Sequence, residues 1–205
     1  MKLFHPTYFS PIEQYAIIMG EKNIFFEFED HYQKQTYRTR CYISGANGKQ
    51  LLNIPIKHGS SSRKTKDIQI DHDNSSWITN HLKSLQAAYR SSPFYEYYED
   101  EIVNIFTQKN KYLIDLNIAI HTFIIASLQE DSTYLKTKEF TNDSLVLDYR
   151  YLVNSKRKTY IKFPKYVQMF DDKHGFQENL SILDLLFMEG PASYKYLRSV
   201  AKIIL

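Results

Sequence analysis

Lys2-Leu3-Phe4-His5-Pro6, Pro11-Ile12-Glu13-Gln14-Tyr15-Ala16-Ile17-Ile18-Met19-Gly20 and Asn23-Ile24-Phe25-Phe26-Glu27-Phe28-Glu29 are three consecutive runs, and their order decides the fold. The first is a short apolar run stopped by Pro6. The second opens on a proline, whose fixed φ suits a first helical turn, and closes on a glycine, where helices commonly end. The third is rich in β-forming residues and ends in acids, as a strand leading to a loop would. Strand, helix, strand is the reading, and the chain opens β-α-β.

Outward from that opening, Thr36 to Ile43 reads as a further strand. Gly45-Ala46-Asn47-Gly48 then supplies turn chemistry before Leu51 to Ile56, so a hairpin is expected. Gly59 to Lys66 holds no apolar residue and reads as a mobile surface loop, after which Ile68 and Ile70 alternate with polar neighbours as a short strand would. Three amphipathic helices follow. In the first, capped by Ser75 or Ser76, Trp77, Ile78, His81, Leu82, Leu85, Ala88 and Tyr89 share a face. Phe94, Tyr98, Ile102, Ile105 and Phe106 repeat the spacing, as do Leu113, Leu116, Asn117, Ile120, Ile124 and Leu128. Tyr134–Phe140 and Leu145–Tyr149 are expected strands around a Thr141-Asn142-Asp143 turn. Ile182–Met188, behind a Ser181 cap, and Tyr194–Ile204 are expected helices. The fold class is α/β: a β-α-β opening, a mixed sheet and a helical C-terminal half in a single domain over 1–205, with α+β as the alternative arrangement.

Composition narrows the function classes. The chain has 205 residues, 43% of them apolar and 24% charged, enough apolar material for a sizeable core and too much for disorder. A formal charge of +3 is far from the concentrated basicity of nucleic-acid binders, so no nucleic-acid partner is expected. The most apolar stretch, Ala119 to Leu128, is too short to span a bilayer and reads as a buried helix, so no membrane partner is expected either. The one cysteine, Cys41, has no intramolecular disulfide partner, and no signal-peptide run opens the chain, which together point to the cytoplasm. Seventeen tyrosines and thirteen phenylalanines beside one tryptophan suggest rings lining a half-wet cleft or the edge of the core, although AT-rich coding raises tyrosine as well.

Polar residues that could do chemistry concentrate between Glu27 and Cys41. Side chains alternate along a strand, so Arg38 and Arg40 would share a face and form a fork for a phosphate or carboxylate. The alternative is a ladder of ion pairs with Glu27 and Glu29. Cys41 is a nucleophile if His81 or His31 stands beside it, and otherwise a small buried hydrophobe. The seven histidines lack the spacing of a metal site, so no metal is expected. His81 and Asn117 lie on helix faces that should be buried, where a polar residue either acts in a site or satisfies a neighbour. No glycine-rich nucleotide fingerprint and no nucleophile elbow occurs, and nothing in the chain specifies a cofactor.

His5-Pro6-x-Tyr8-Phe9-x-Pro11, Lys34-Gln35-Thr36-Tyr37-Arg38-Thr39-Arg40, Leu52-x-Ile54-Pro55, Trp77-x-x-x-His81, Ala88-Tyr89-x-x-x-Pro93-Phe94 and Asn179 to Leu186 occur in that order. In this the chain resembles the WbqC-like family, and its shorter, tyrosine-rich form is similar to Bacteroidetes-type members. The resemblance implies a role connected with bacterial surface polysaccharides. The family pattern has Asn-Arg-Asn where this chain has Thr39-Arg40-Cys41, and often Gln-Pro in place of His5-Pro6. Arg40 thus stays while Cys41 replaces an asparagine, which speaks for Arg40 as a ligand contact and against a cysteine nucleophile.

Ligands of open α/β sheets collect at the carboxyl ends of strands, which would gather the loop from His5 to Tyr8 near Glu29 and the basic residues beyond it. The expected site has His5, Glu27 and His81 as catalytic groups, with Tyr8, Lys34, Arg38, Arg40 and Asn117 binding an anionic small molecule or sugar. Two functions fit these residues: an enzyme transferring a group to an activated or amino sugar, or a non-catalytic protein offering an aromatic surface to glycan-synthesis enzymes.

Overall fold

A computed structural model describes residues 1–57, 64–73, 76–140 and 146–205. The opening is β-α-β as expected: β1 (Lys2–Phe4), α1 (Ile12–Ile18) and β2 (Asn23–Phe26), with β1 and β2 paired in parallel, Leu3 opposite Phe25. Pro11 sits at the N-cap of α1, and Gly20 just past its end takes φ +85°. Buried on every side chain, β1 is the centre of the sheet, as a strand covered on both faces must be.

The hairpin forms from β3 (Arg40–Gly45) and β4 (Gly48–Asn53), antiparallel, and stands as a two-stranded sheet of its own. Its strands differ from the expected ones at both ends. Thr36 to Thr39 lie outside β3 because their backbone is used elsewhere: the Tyr37 N–H donates to the Val153 carbonyl at 2.9 Å, and the Tyr37 carbonyl accepts from Tyr8 N at 2.8 Å. Arg38 and Arg40 therefore do not share a strand face. Ile68 and Ile70 form no strand; the segment makes isolated bridges, Ile56 to Ile70 and Gln69 to Tyr112. His58 to Arg63, most of the expected loop, lie outside the described residues, and Lys64 and Lys66 are not free in solvent but both bind Glu29.

Three helices follow where the periodicity put them: α2 (Ser76–Tyr89), α3 (Tyr95–Thr107) and α4 (Leu113–Ser127). Ser75, one of the two expected caps of α2, is outside the described residues, and Ser76, the other, is the first residue of the helix. Two short strands complete the main sheet, β5 (Thr133–Lys136) and β6 (Leu147–Asp148). They were expected as neighbours around a turn, and that turn, residues 141–145, is not among the described residues. They are in fact the two opposite edges of a parallel sheet ordered β5-β2-β1-β6. Each pairs with the buried centre and not with the other.

The C-terminal part is helical, with α5 (Asp171–His174), α6 (Ile182–Glu189) and α7 (Ser193–Ile204). The Ser181 side chain caps α6, accepting from Leu183 N at 3.3 Å and donating to the Phe9 carbonyl at 2.9 Å. Gly190 ends that helix at φ +51°, where an added Cβ would lie 2.5 Å from the Phe94 ring. Not all tyrosines line a wet edge: Tyr8, expected at the site, is wholly internal, as are Tyr15 and Tyr89, and each hydroxyl is bonded to a partner. No helix among the described residues is long and apolar enough to cross a membrane.

Candidate functional site

All four parallel strands point their carboxyl ends at one place. His5 follows β1, Glu27 to Asp30 follow β2, Phe140 lies beyond β5, and Arg150 follows β6. Between them lies a cleft of about 650 Å³, lined by His5, Asp30, Phe140, Arg150, Tyr151 and Arg157 among others. Chain order along the sheet reverses direction at β1, since β2 and β5 are added on one side and β6 on the other. A crevice forms at such a point because the loops leaving the two strands diverge.

The floor is a buried polar cluster. Arg38, 1% exposed, donates through Nη2 to Asp30 Oδ2 at 2.5 Å and to His5 Nε2 at 2.9 Å, and through Nη1 to Thr36 Oγ1 at 3.4 Å. Because Nε2 accepts from a guanidinium, the proton of a neutral His5 ring sits on Nδ1. Burial first, then the charges of Arg38 and Arg150, hold His5 well below its ordinary pKa, against the Glu27 main chain, which favours the protonated ring. The 3.6 Å approach of His5 to Asp30 is thus no ion pair, and Arg38 is the charge partner of Asp30. Burial raises the Asp30 carboxyl, opposed by Arg38 and the Thr65 hydroxyl and reinforced by Glu27. Asn117 reaches in from α4, its Nδ2 donating to the Arg38 carbonyl at 2.9 Å and the Pro6 carbonyl at 3.3 Å. Arg38 Nε and Asn117 Oδ1 are buried without a hydrogen-bond partner. Buried polar atoms are normally satisfied, and two unpartnered ones beneath a cleft are what a ligand site would leave.

The walls are arginines and rings. Arg150 pairs with Glu27 at 3.1 Å and Asp148 at 2.7 Å, and its guanidinium lies 4.8 Å from the Phe140 ring centre. Arg157 pairs with Glu13 and lies 5.4 Å from the Tyr151 ring centre. Glu27, fully buried, also accepts from Glu29 N and Thr137 Oγ1, so its carboxylate is occupied in holding Arg150 and the strand-end loops. The ladder joining Arg38 and Arg40 to Glu27 and Glu29 does not form. Glu29 pairs with Lys64 and Lys66 instead, whose hydrogen bonds lower its carboxyl.

His5, Glu27, Arg38 and Asn117 are brought together here, and the remaining expected residues are not. Tyr8 and His81 meet in the core, hydroxyl to Nδ1 at 2.7 Å, between the rings of Trp77 and Phe106. Burial holds His81 down at about 4 against a backbone contact with Asn53. Such a histidine is neutral and bonded to a residue of its own core. Arg40 opens β3 outside the cleft and bonds Asn53 at 3.3 Å; Lys34 is exposed. Cys41 is buried, and burial pushes its thiol up, the reverse of what a thiolate nucleophile needs. Among the described residues no three His, Cys, Asp or Glu side chains are placed to hold a metal. Asp30, Arg150 and Arg157 were missed in the sequence. Arg150, directly after the expected strand ending at Tyr149, was the one available signal, and its use required knowing that β6 lies beside β1.

A model of the WbqC-like protein family matches residues 6–162, which begins just after His5 and takes in the rest of the cleft named above. No curated protein and no solved structure matches the chain.

Proposed function

The chain belongs to the WbqC-like protein family, and from that premise we propose that it is an enzyme of glycan-precursor synthesis that transfers a group to an activated or amino sugar bound in the strand-end cleft. One observation carries the proposal: a neutral His5 backed by the Arg38–Asp30 pair, on the floor of a cleft whose walls are Arg150 and Arg157 stacked on aromatic rings. Guanidiniums suit phosphate or carboxylate, and flat rings suit a sugar or base face. The exposed rings Phe140 and Tyr151 line this cleft, which ties them to a bound small molecule more than to a docked protein.

His5 is the proposed proton-transfer group. Its Nε2 lone pair is engaged by Arg38, and two cations depress the ring. A ligand anion that offsets the charges of Arg38 and Arg150 and takes up the Arg38 hydrogen bond frees Nε2 to accept the proton of the attacking hydroxyl or amine. As that atom bonds to the transferred group, the group's bond to its donor breaks, and the imidazolium returns the proton to the leaving group. Arg150 and Arg157 bind the anion, and Glu27 positions Arg150. The proposal puts the enzyme in the cytoplasm, where a lone thiol such as Cys41 stays reduced.

Thermal melting with nucleotides, nucleotide sugars and acyl donors tests this. A nucleotide sugar should raise the melting temperature, since a ligand bound only by the native state stabilises it. Arg157→Ala should remove that rise, whereas His5→Ala should keep it and abolish turnover of the same compound. If none of the three ligand classes shifts the melt, the reading is wrong.

A further inference from the structure

Residues 154–168 run from the cleft rim to the buried Asp184 without a helix or strand of their own. Segments this long without secondary structure are uncommon in compact folds unless they serve a function. Burial alternates along this one. Arg157, Thr159, Ile161 and Phe163 are buried or half-buried, while Lys156, Lys158, Tyr160 and Lys162 between them are exposed, the two-residue period of an extended chain. Past Pro164, Lys165 and Val167 are exposed and Tyr166 and Gln168 buried. The inner row is pinned: Arg157 to Glu13, the Pro164 carbonyl to the Tyr196 hydroxyl at 2.7 Å, and the Tyr166 hydroxyl to Asp184 at 2.5 Å. The outer row is therefore displayed by a strap already ordered, which removes an entropic penalty on docking.

That outer row holds four lysines, Tyr160 at 92% exposure and Val167 at 64%, and the segment contains no acid. Among the described residues none of these lysines has an ion-pair partner. We propose that this row docks the protein on an anionic lipid surface. Lysines attract anionic headgroups over a short range, and tyrosine settles at the headgroup level of a bilayer. The pattern fits a lipid surface better than a nucleic acid, which is gripped by arginine forks and by several stacked rings, whereas this row offers lysines and one ring. The sequence, lacking any spanning run, pointed to no membrane partner; the strap adds a peripheral one. Asn154 and Arg157 belong both to the strap and to the cleft lining, so docking sets the cleft mouth beside the headgroups.

Co-sedimentation of the whole chain with vesicles tests the inference, using phosphatidylcholine alone and phosphatidylcholine with phosphatidylglycerol. Binding is expected to the anionic vesicles only, falling as salt rises. Each of Lys156→Gln, Lys158→Gln, Lys162→Gln and Lys165→Gln should weaken it about five-fold, with the melting temperature unchanged because all four side chains are exposed. No binding to anionic vesicles at low salt overturns the inference, as does undiminished binding by the fourfold variant or tighter binding to a single-stranded oligonucleotide than to the vesicles. Ligand-induced melting shifts read the cleft separately, so either proposal can fail alone.

Discussion

Arg38 and Arg40 are two residues apart and alike in chemistry, yet their surroundings give them different work. Arg38 is enclosed, and its planar fork bonds Asp30 and His5 through one nitrogen while its own carbonyl accepts from Asn117. A lysine keeps the charge but presents a single ammonium, which cannot reproduce that fork. Buried partners left unbonded by the single ammonium cost their desolvation, so Arg38→Lys should lower unfolding stability by about 2 kcal/mol. Arg40 is half-exposed with one long bond to Asn53, and Arg40→Ala should cost less than about 0.5 kcal/mol and leave any ligand-induced melting shift intact. Urea unfolding of both variants decides this. An Arg38→Lys protein as stable as its parent would show the cluster to be relaxed and wet, and not a rigid floor.

At the scale of elements, the serine before α6 joins distant parts of the chain. Ser181 Oγ accepts from the first turn of α6 and donates to the Phe9 carbonyl, tying that helix to the loop after β1 that carries His5. Ser181→Ala loses both bonds in a buried place, so a loss of roughly 1–2 kcal/mol in unfolding stability is expected, and an unchanged midpoint in denaturant would contradict it. This cap was legible in the sequence, as were α2 to α4 and the β-α-β opening, because each is set by local spacing of apolar residues with capping or breaking residues at its ends. The short strands were not. β5 and β6 are exposed edges of four and two residues, too short to show a period, and only the buried centre of the sheet defines them. Candidate-site residues followed the same division. His5 and Glu27 reached the cleft cluster because they directly follow the central strands β1 and β2, and Asn117 because it lies on a secure helix, while Arg38 comes from the loop before β3. Tyr8 and His81 were placed with them because a polar group on an apolar face looks the same whether it meets a ligand or another side chain. Asp30, Arg150 and Arg157 depend on which strands are neighbours, and that is a property of the whole chain.

Across the whole molecule, three buried histidines make stability depend on pH in a window set by their environment. Burial holds His81 and His121 at about 4, and His5 is held well below its ordinary value. An unfolded histidine titrates near 6.5. With the folded value depressed, the unfolded chain binds more protons between about 6.5 and 4, so the stabilisation is complete above the unfolded value and is lost as pH falls through this window. For His81 and His121 the loss between pH 7 and pH 5 is about 2 kcal/mol each. Burial also raises the carboxyls of Glu13, Asp30 and Asp184, which makes the folded state take up protons as pH falls and so opposes the histidines. The separable test is therefore His121, whose ring lies among Tyr15, Phe26 and Tyr134 with Nε2 unpartnered and only a 3.3 Å bond from Nδ1 to the Tyr15 hydroxyl. His121→Leu removes the titrating group while keeping an apolar side chain of similar bulk, and it touches none of the residues assigned to the cleft. Urea unfolding at pH 7 and pH 5 should show the pH-dependent loss shrink by about 2 kcal/mol in this variant, with stability at pH 7 changed far less. If the parent and His121→Leu lose the same stability between the two pH values, His121 does not titrate in a dry core, and water must reach the space between α1, α4 and the sheet.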